Sequence, residues 1–246
     1  MSRSGSALIC IGGVDPSGGA GLVRDAWTIE QLDEQLARGF VVSAWTWQGR
    51  GEPARVRARP AEMFTSDLER ALRRFDPAQT WIKIGLLPES LVPAVQASLV
   101  RHAPAGVVLD PVLRASDGGE LGARPSSLSI LFELCSVVTP NAFESEALSW
   151  SSNEPGLPTA VLFKGVAAPE GRVRDRLVAE GTSVDFERAR VLGPDPRGTG
   201  CALATAIGLH CAGGSTLQSA CEEAIAWLDR RRSQTRPGPD GRAHMS

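Results

Sequence analysis

The chain has 246 residues, 42% hydrophobic and 22% charged, a profile that fits one α/β domain with a substantial core. With 26 Lys and Arg against 28 Asp and Glu the formal net charge is −2, which leaves no electrostatic footprint for nucleic acid or an anionic membrane. Five cysteines without paired spacing, three histidines and no apolar run of membrane-spanning length point to a cytoplasmic protein with reduced thiols and no structural zinc.

The N-terminal Met1-Ser-Arg-Ser-Gly-Ser runs directly into an apolar segment and does not read as a signal sequence. That segment, residues 7–11, predicts a buried strand ending at Gly12-Gly13. A turn-rich loop over 14–21 precedes a helix over 22–36. A second strand is expected over 41–48, with Ala44, Thr46 and Gln48 on one face and Trp45 and Trp47 on the other. Residues 60–75 form an amphipathic pattern, with Met63, Phe64, Leu68, Ala71, Leu72 and Phe75 along one side. Strands at 81–84, 107–109, 136–139 and 160–163 alternate with helices at 90–101, 126–134 and 143–148. Residues 174–179 and 183–187 read as a hairpin about Glu180-Gly181.

Near the end stands Arg197-Gly-Thr-Gly-Cys201, followed by a run of small and apolar residues stopped by Gly213-Gly214. Gly198 and Gly200 flank Thr199 and permit a tight turn into a helix. Such a junction binds anions, because unpaired N–H groups and the helix dipole point at it. Cys201 falls at the helix mouth, where a thiol pKa is expected to drop. The alternative is a plain loop-to-helix junction with a buried cysteine. A last helix covers 217–231, and the Pro/Gly/Arg-rich segment 234–246 reads as a disordered tail, leaving 1–233 as a single domain.

Alternating strands and helices imply right-handed βαβ units and a mostly parallel sheet covered on both faces, with ligands beyond the strands' carboxyl ends. Gly12-Gly13, Gln48, Gly85, Asp110, Asn141 and Lys164 each close a strand, which places one pocket there.

Several segments carry a family resemblance. Gly13-Val-Asp-Pro-Ser-Gly-Gly-Ala-Gly-Leu-Val-Arg-Asp25 resembles the opening loop of the hydroxymethylpyrimidine/phosphomethylpyrimidine kinases of thiamin biosynthesis, a branch of the ribokinase-like superfamily. Lys83-Ile-Gly-Leu-Leu87, Leu109-Asp-Pro-Val112, Val138-Thr-Pro-Asn141 with Glu144, Leu162-Phe-Lys-Gly165 and Gly198-Thr-Gly-Cys201 match further family segments in order. The resemblance implies a three-layer α/β/α sandwich and transfer of the ATP γ-phosphoryl group to 4-amino-5-hydroxymethyl-2-methylpyrimidine, its monophosphate, or both. It also implies a homodimer.

By the same resemblance the turn of Gly198, Thr199, Gly200 and Cys201 holds the migrating phosphoryl group, with Cys201 as catalytic base. Asn141 and Glu144 organise Mg²⁺ and the nucleotide phosphates, while Lys164 contacts ATP phosphate. Asp25, Gln48 and the backbone near Gly13 and Val112 meet the pyrimidine. A carboxamide at Gln48 suits an aminopyrimidine, accepting from the exocyclic amine while donating to a ring nitrogen. On their own chemistry, Glu144 also fits a helix-capping carboxylate, Asp25 a partner of the helix dipole, and Lys83 a structural ion pair. Asp110 fits either a strand-end acceptor or a carboxylate supporting the metal.

The chain departs from the family pattern in four places. Lys164-Gly165-Val166-Ala167 stands for Lys-Gly-Gly-His, and Trp47-Gln-Gly-Arg50 for Ala-Gln-Asn-Thr. Arg197 replaces a histidine, and only the polar residues 149–158 fill the place of a helix. Two further readings share the scaffold: a pyridoxal kinase, and a ligand-binding homologue without turnover.

Overall fold

A computed structural model describes residues 5–33, 35–47, 55–114, 121–153, 156–193, 196–237 and 243–245. The elements run β1 (Ala7–Val14), α1 (Gly21–Leu32), β2 (Ala37–Trp47), β3 (Arg55–Ala58), α2 (Ala61–Leu72), β4 (Thr80–Ile84), α3 (Val92–His102) and β5 (Gly106–Leu109). They continue with α4 (Pro125–Phe132), β6 (Val137–Val138), α5 (Ala142–Ala147), β7 (Val161–Val166), β8 (Arg172–Ala179), β9 (Thr182–Ala189), α6 (Thr199–Ala212), α7 (Leu217–Arg232), β10 (Thr235–Pro237) and β11 (Ala243–Met245).

Nine strands form one sheet in the order β3-β2-β1-β4-β5-β6-β7-β8-β9. The six from β2 to β7 are parallel, and β3, β8 and β9 join antiparallel at the edges. The central position of β1 follows from its sequence: Ala7 to Ile11 are all fully buried, so both faces must be covered. One face packs on α2, α3 and α4 through Phe64, Leu68, Val95 and Leu128, among others. The other packs on α1, α6 and α7, giving the α/β/α sandwich.

Helix α6 is buried on all sides because its Ala202, Ala204, Ala206 and Gly208 let it lie flat on the sheet. A methyl group on Gly208 would come within 3.0 Å of Leu8 Cδ1. This contact sets the C-terminal half of α6 against the start of β1.

The expected elements are present, with shifted ends. The first helix stops at Leu32 rather than at 36, and α2 at Leu72 rather than 75. Met63, expected on the apolar side of α2, is 55% exposed, because the buried stripe runs through Phe64, Leu68 and Leu72. Strand β3 was not legible: Arg-Val-Arg-Ala has the alternation of a strand but only four residues and two charges. Between α5 and β7 the described residues hold no helix, as the polar composition there implied.

Segment 234–246, expected as a disordered tail, holds two short strands among its described residues. Within it β10 and β11 pair antiparallel, and Met245 is buried against the α6–α7 layer. Composition counts few apolar residues there and does not announce the backbone pairing or the one methionine that reaches the core. Among the described residues no helix is long and apolar enough to cross a membrane.

Candidate active site

Helix α6 enters through Gly198, which adopts a left-handed φ of 73°. Glycine is required twice over here, since a Cβ would also lie 2.2 Å from the Gly19 carbonyl oxygen. Thr199, Gly200 and Cys201 then form the first turn, and their N–H groups have no partner within the helix. A Cβ on Gly200 would stand 3.4 Å from both Asp110 Oδ2 and Lys164 Nζ, so these two residues lie directly beside this turn.

Lys164, expected to close its strand, is instead the fourth residue of β7, which runs on to Val166; its Nζ donates to Asp110 Oδ1 at 2.9 Å. The Asp110 carboxylate sits just beyond β5 and answers the need of a lysine in a buried strand. At α5 a capping box closes. Asn141 Oδ1 accepts from the Glu144 N–H at 2.9 Å, and Glu144 Oε2 accepts from the Asn141 N–H at 2.8 Å. The capping role considered for Glu144 is therefore filled, yet the carboxyl also faces Lys164 and Asp110. Burial pushes its pKa up to about 7, against the pull of Lys164 and with the added push of Asp110.

These residues border a cavity of about 600 Å³ that also reaches Val112 and Arg197. A second cavity of about 50 Å³ lies deeper, between Gly12, Gly13, Thr46, Lys83 and Leu86. Cys201, Val112, Ala20 and Leu121 border both, so Cys201 stands where the two meet. Gly13 is held open by crowding, since a Cβ there would meet Leu86 Cδ2 at 2.7 Å.

Asp25 is fully buried and does not border either cavity. Lys83 Nζ donates to both of its carboxylate oxygens at 2.9 Å, and Thr205 Oγ1 to one of them at 2.8 Å. The ion pair considered for Lys83 is thus present, and Lys83 rather than Asp25 forms the floor of the small cavity. Gln48 lies outside the described residues.

The expected drop in the Cys201 pKa is reversed: burial pushes the thiol up to about 11. Lys83 and the Gly21 backbone pull it down, but Asp25 and Asp110 oppose them, so desolvation prevails over the helix mouth.

Sequence reasoning missed one buried pair. Arg197 Nη2 lies 2.9 Å from Asp15 Oδ2, with both side chains nearly inaccessible, and Arg197 Nη1 donates to Ser17 Oγ. It binds the glycine loop after β1 to the turn before α6. No local pattern announces a contact across some 180 residues. Among the described residues no three His, Cys, Asp or Glu side chains come together, so Asp110 and Glu144 are the carboxylates available to a cation at this cavity.

A mostly parallel sheet with a glycine turn feeding a helix N-terminus, and a Lys–Asp–Glu set at the adjoining strand ends, defines a ribokinase-like kinase scaffold. The fold superposes on a Staphylococcus aureus pyridoxal kinase bound to ADP with a TM-score of 0.83, at 22% identity, over 99% of this chain and 93% of that one. The family model for phosphomethylpyrimidine kinase matches residues 15–240, and the chain belongs to that family.

The hydroxymethylpyrimidine/phosphomethylpyrimidine kinase of Salmonella typhimurium is 31% identical, over 92% of this chain and 90% of its own length. The thiamine biosynthesis multifunctional protein ThiED of Corynebacterium efficiens is 28% identical over 90% of this chain. The chain spans only 32% of that protein, and 48% of its Geobacter sulfurreducens counterpart.

Proposed function

We propose that this chain transfers the γ-phosphoryl group of ATP to the hydroxymethyl of 4-amino-5-hydroxymethyl-2-methylpyrimidine, to its monophosphate, or to both. The observation that carries this reading is the position of the Gly198–Cys201 turn, at the junction of a roomy cavity bordered by Lys164, Asp110 and Glu144 and a small deep one. The first has room for the phosphates, and the second, too small for a whole pyrimidine, opens beside the turn on the acceptor's side, so the group in transit lies on the turn. Phosphoryl transfer asks a protein chiefly for positioning and charge stabilisation, and unpaired N–H groups at a helix N-terminus supply both.

Lys164 faces the phosphates across the Gly200 backbone, held in place by Asp110. Two carboxylates are too few to cage a metal, but they fit Mg²⁺, which keeps much of its water shell and arrives with phosphate oxygens. Bound there, the ion would neutralise charge on the phosphates; Glu144 and Asp110 would hold it. Because the Glu144 pKa is about 7, most of its carboxyl is protonated at pH 6 and must ionise to take a cation. Binding of ADP with Mg²⁺ at pH 6 is therefore expected to release about one proton. Calorimetry in two buffers of different ionisation enthalpy reads that number, and Glu144→Gln should abolish it. No release from the unaltered protein removes Glu144 from the metal's shell.

For the acceptor, Gln48 is assigned to the aminopyrimidine edge. Losing a two-point hydrogen bond leaves polar groups unpaired at a cost of about 1–3 kcal/mol. Gln48→Ala is thus expected to weaken pyrimidine binding roughly ten- to a hundredfold, with ATP affinity little changed. Equal pyrimidine affinity in both proteins would exclude Gln48 from the site.

The test of the whole reading is ATP consumption with hydroxymethylpyrimidine, its monophosphate and pyridoxal supplied separately. Turnover with either pyrimidine supports it. Turnover with pyridoxal alone overturns it in favour of the pyridoxal reading, and none with any acceptor favours a homologue that binds without catalysis.

A further inference from the structure

We propose that strand β11, Ala243–Met245, is a positioning element of the active site, which locks the glycine loop 15–21 onto the turn that enters α6. Two successive outward carbonyls of this strand each receive a donor from the site's framework. The Arg197 N–H donates to the Ala243 carbonyl at 2.9 Å, and Arg24 Nη1 donates to the Met245 carbonyl at 3.0 Å. Between them the His244 ring covers the loop so closely that a methyl on Gly19 would fall 2.7 Å from its Cε1. The Met245 side chain anchors the strand in the core.

The two arginines carry this hold onward. Arg24 is buried, and its Nε reaches the Gly19 carbonyl at 3.4 Å. Arg197 grips Asp15 and Ser17 with its guanidinium while β11 fixes its backbone. Gly198 follows immediately, pressed against the Gly19 carbonyl. The direction of the Arg197 amide therefore sets how the chain enters α6, and with it the aim of the turn's free N–H groups. Those groups stabilise a migrating phosphoryl only if they are held in place beforehand. A displacement of about 1 Å in such a constellation costs on the order of a hundredfold in rate.

The experiment compares the full chain with a form lacking residues 243–246, and with Met245→Asp, whose charged side chain cannot stay in the core. Hydrogen exchange, urea unfolding and ATP-dependent phosphorylation are read for each. Expected are a modest fall in the unfolding midpoint, a change in β1 and β4 protection no larger than that fall accounts for, and amide exchange in 15–21 and 197–201 that quickens well beyond it. kcat should fall about ten- to a hundredfold. Unchanged exchange in the two loops overturns the proposal. So does a loss of activity that merely follows a general loss of stability in both variants. The kinetic arm rests on the kinase reading; if no acceptor is turned over, the exchange arm still decides, and the two failures are told apart.

Discussion

Cys201→Ala is expected to lower kcat by up to about 10²–10⁴-fold at the alkaline end of the pH range, and by less toward pH 7, while leaving nucleotide binding in place, the range typical of general-base assistance. Cys201 is the third residue of α6 and borders both cavities, which suits it to take the proton of an acceptor hydroxyl as the bond to phosphorus forms. With its pKa pushed up to about 11, only about one thiol in 10⁴ is ionised at pH 7. Reaction through the thiolate then grows with its population. kcat should rise roughly tenfold per pH unit between pH 7 and 10, and this slope should be absent in Cys201→Ala. A loose transition state asks little base strength before bond formation, so a small thiolate fraction still supports turnover. Cys201→Asp should recover part of the loss, although Asp25 and Asp110, which already oppose ionisation at this position, limit the gain. The competing account gives Cys201 only a backbone N–H in the anion turn, as a small residue that fits. Near-wild-type kcat in Cys201→Ala, with the pH slope intact, would establish that account.

What the sequence carried, it carried through local chemistry. Apolar runs such as 7–11 and 107–109 mark strands that need cover on both faces, and the glycines before α6 announce a turn that only glycine can make. Strand ends collect the polar residues because a parallel sheet offers no other opening. The motif residues Asp110, Asn141, Glu144, Lys164 and Gly198–Cys201 therefore meet at one cavity. What local chemistry cannot carry is pairing at long range. Lys83 and Asp25 read as two separate candidates, and only the fold reveals that each exists to satisfy the other. Arg197 reads as a departure from a motif, whereas in place it is the partner of Asp15. The pKa of Cys201 went the wrong way for the same reason: the helix mouth is written in the sequence, and the depth of burial is not. Residues 243–245 look like tail by composition because the donors that hold them, on Arg24 and Arg197, lie far away in the chain.

The largest stability effect is expected at the Asp25–Lys83 pair beneath the small cavity. Both side chains are within 1% of complete burial, with Nζ 2.9 Å from each carboxylate oxygen, so removing one partner strands the other in a medium that cannot solvate it. Lys83→Met and Asp25→Leu are each expected to lower the free energy of unfolding by about 3–5 kcal/mol. The double variant should lose less than either single change, since replacing a whole buried pair with apolar groups is often close to neutral. Urea unfolding of the four proteins measures this, and losses that add would show that the two groups do not depend on each other.

The two single variants should also differ in their response to pH. Burial alone would drive the Lys83 ammonium toward neutrality, but Asp25, followed by Cys201 and Asp110, more than compensates and raises its pKa. Its contribution is therefore complete below the ordinary lysine value of about 10.4 and is lost only as pH rises above it. Burial pushes the Asp25 carboxyl upward, and Lys83 is the main force opposing that. In Lys83→Met this opposition is gone and the folded-state pKa climbs further above the unfolded one. The folded state then binds the extra proton, so acidification toward the unfolded value of about 3.9 favours folding. The deficit of Lys83→Met relative to the unaltered protein should shrink as pH falls from 8 to 5. A deficit constant over that interval would mean that Asp25 is already neutral beside Lys83, and that the contact between them is a hydrogen bond rather than an ion pair.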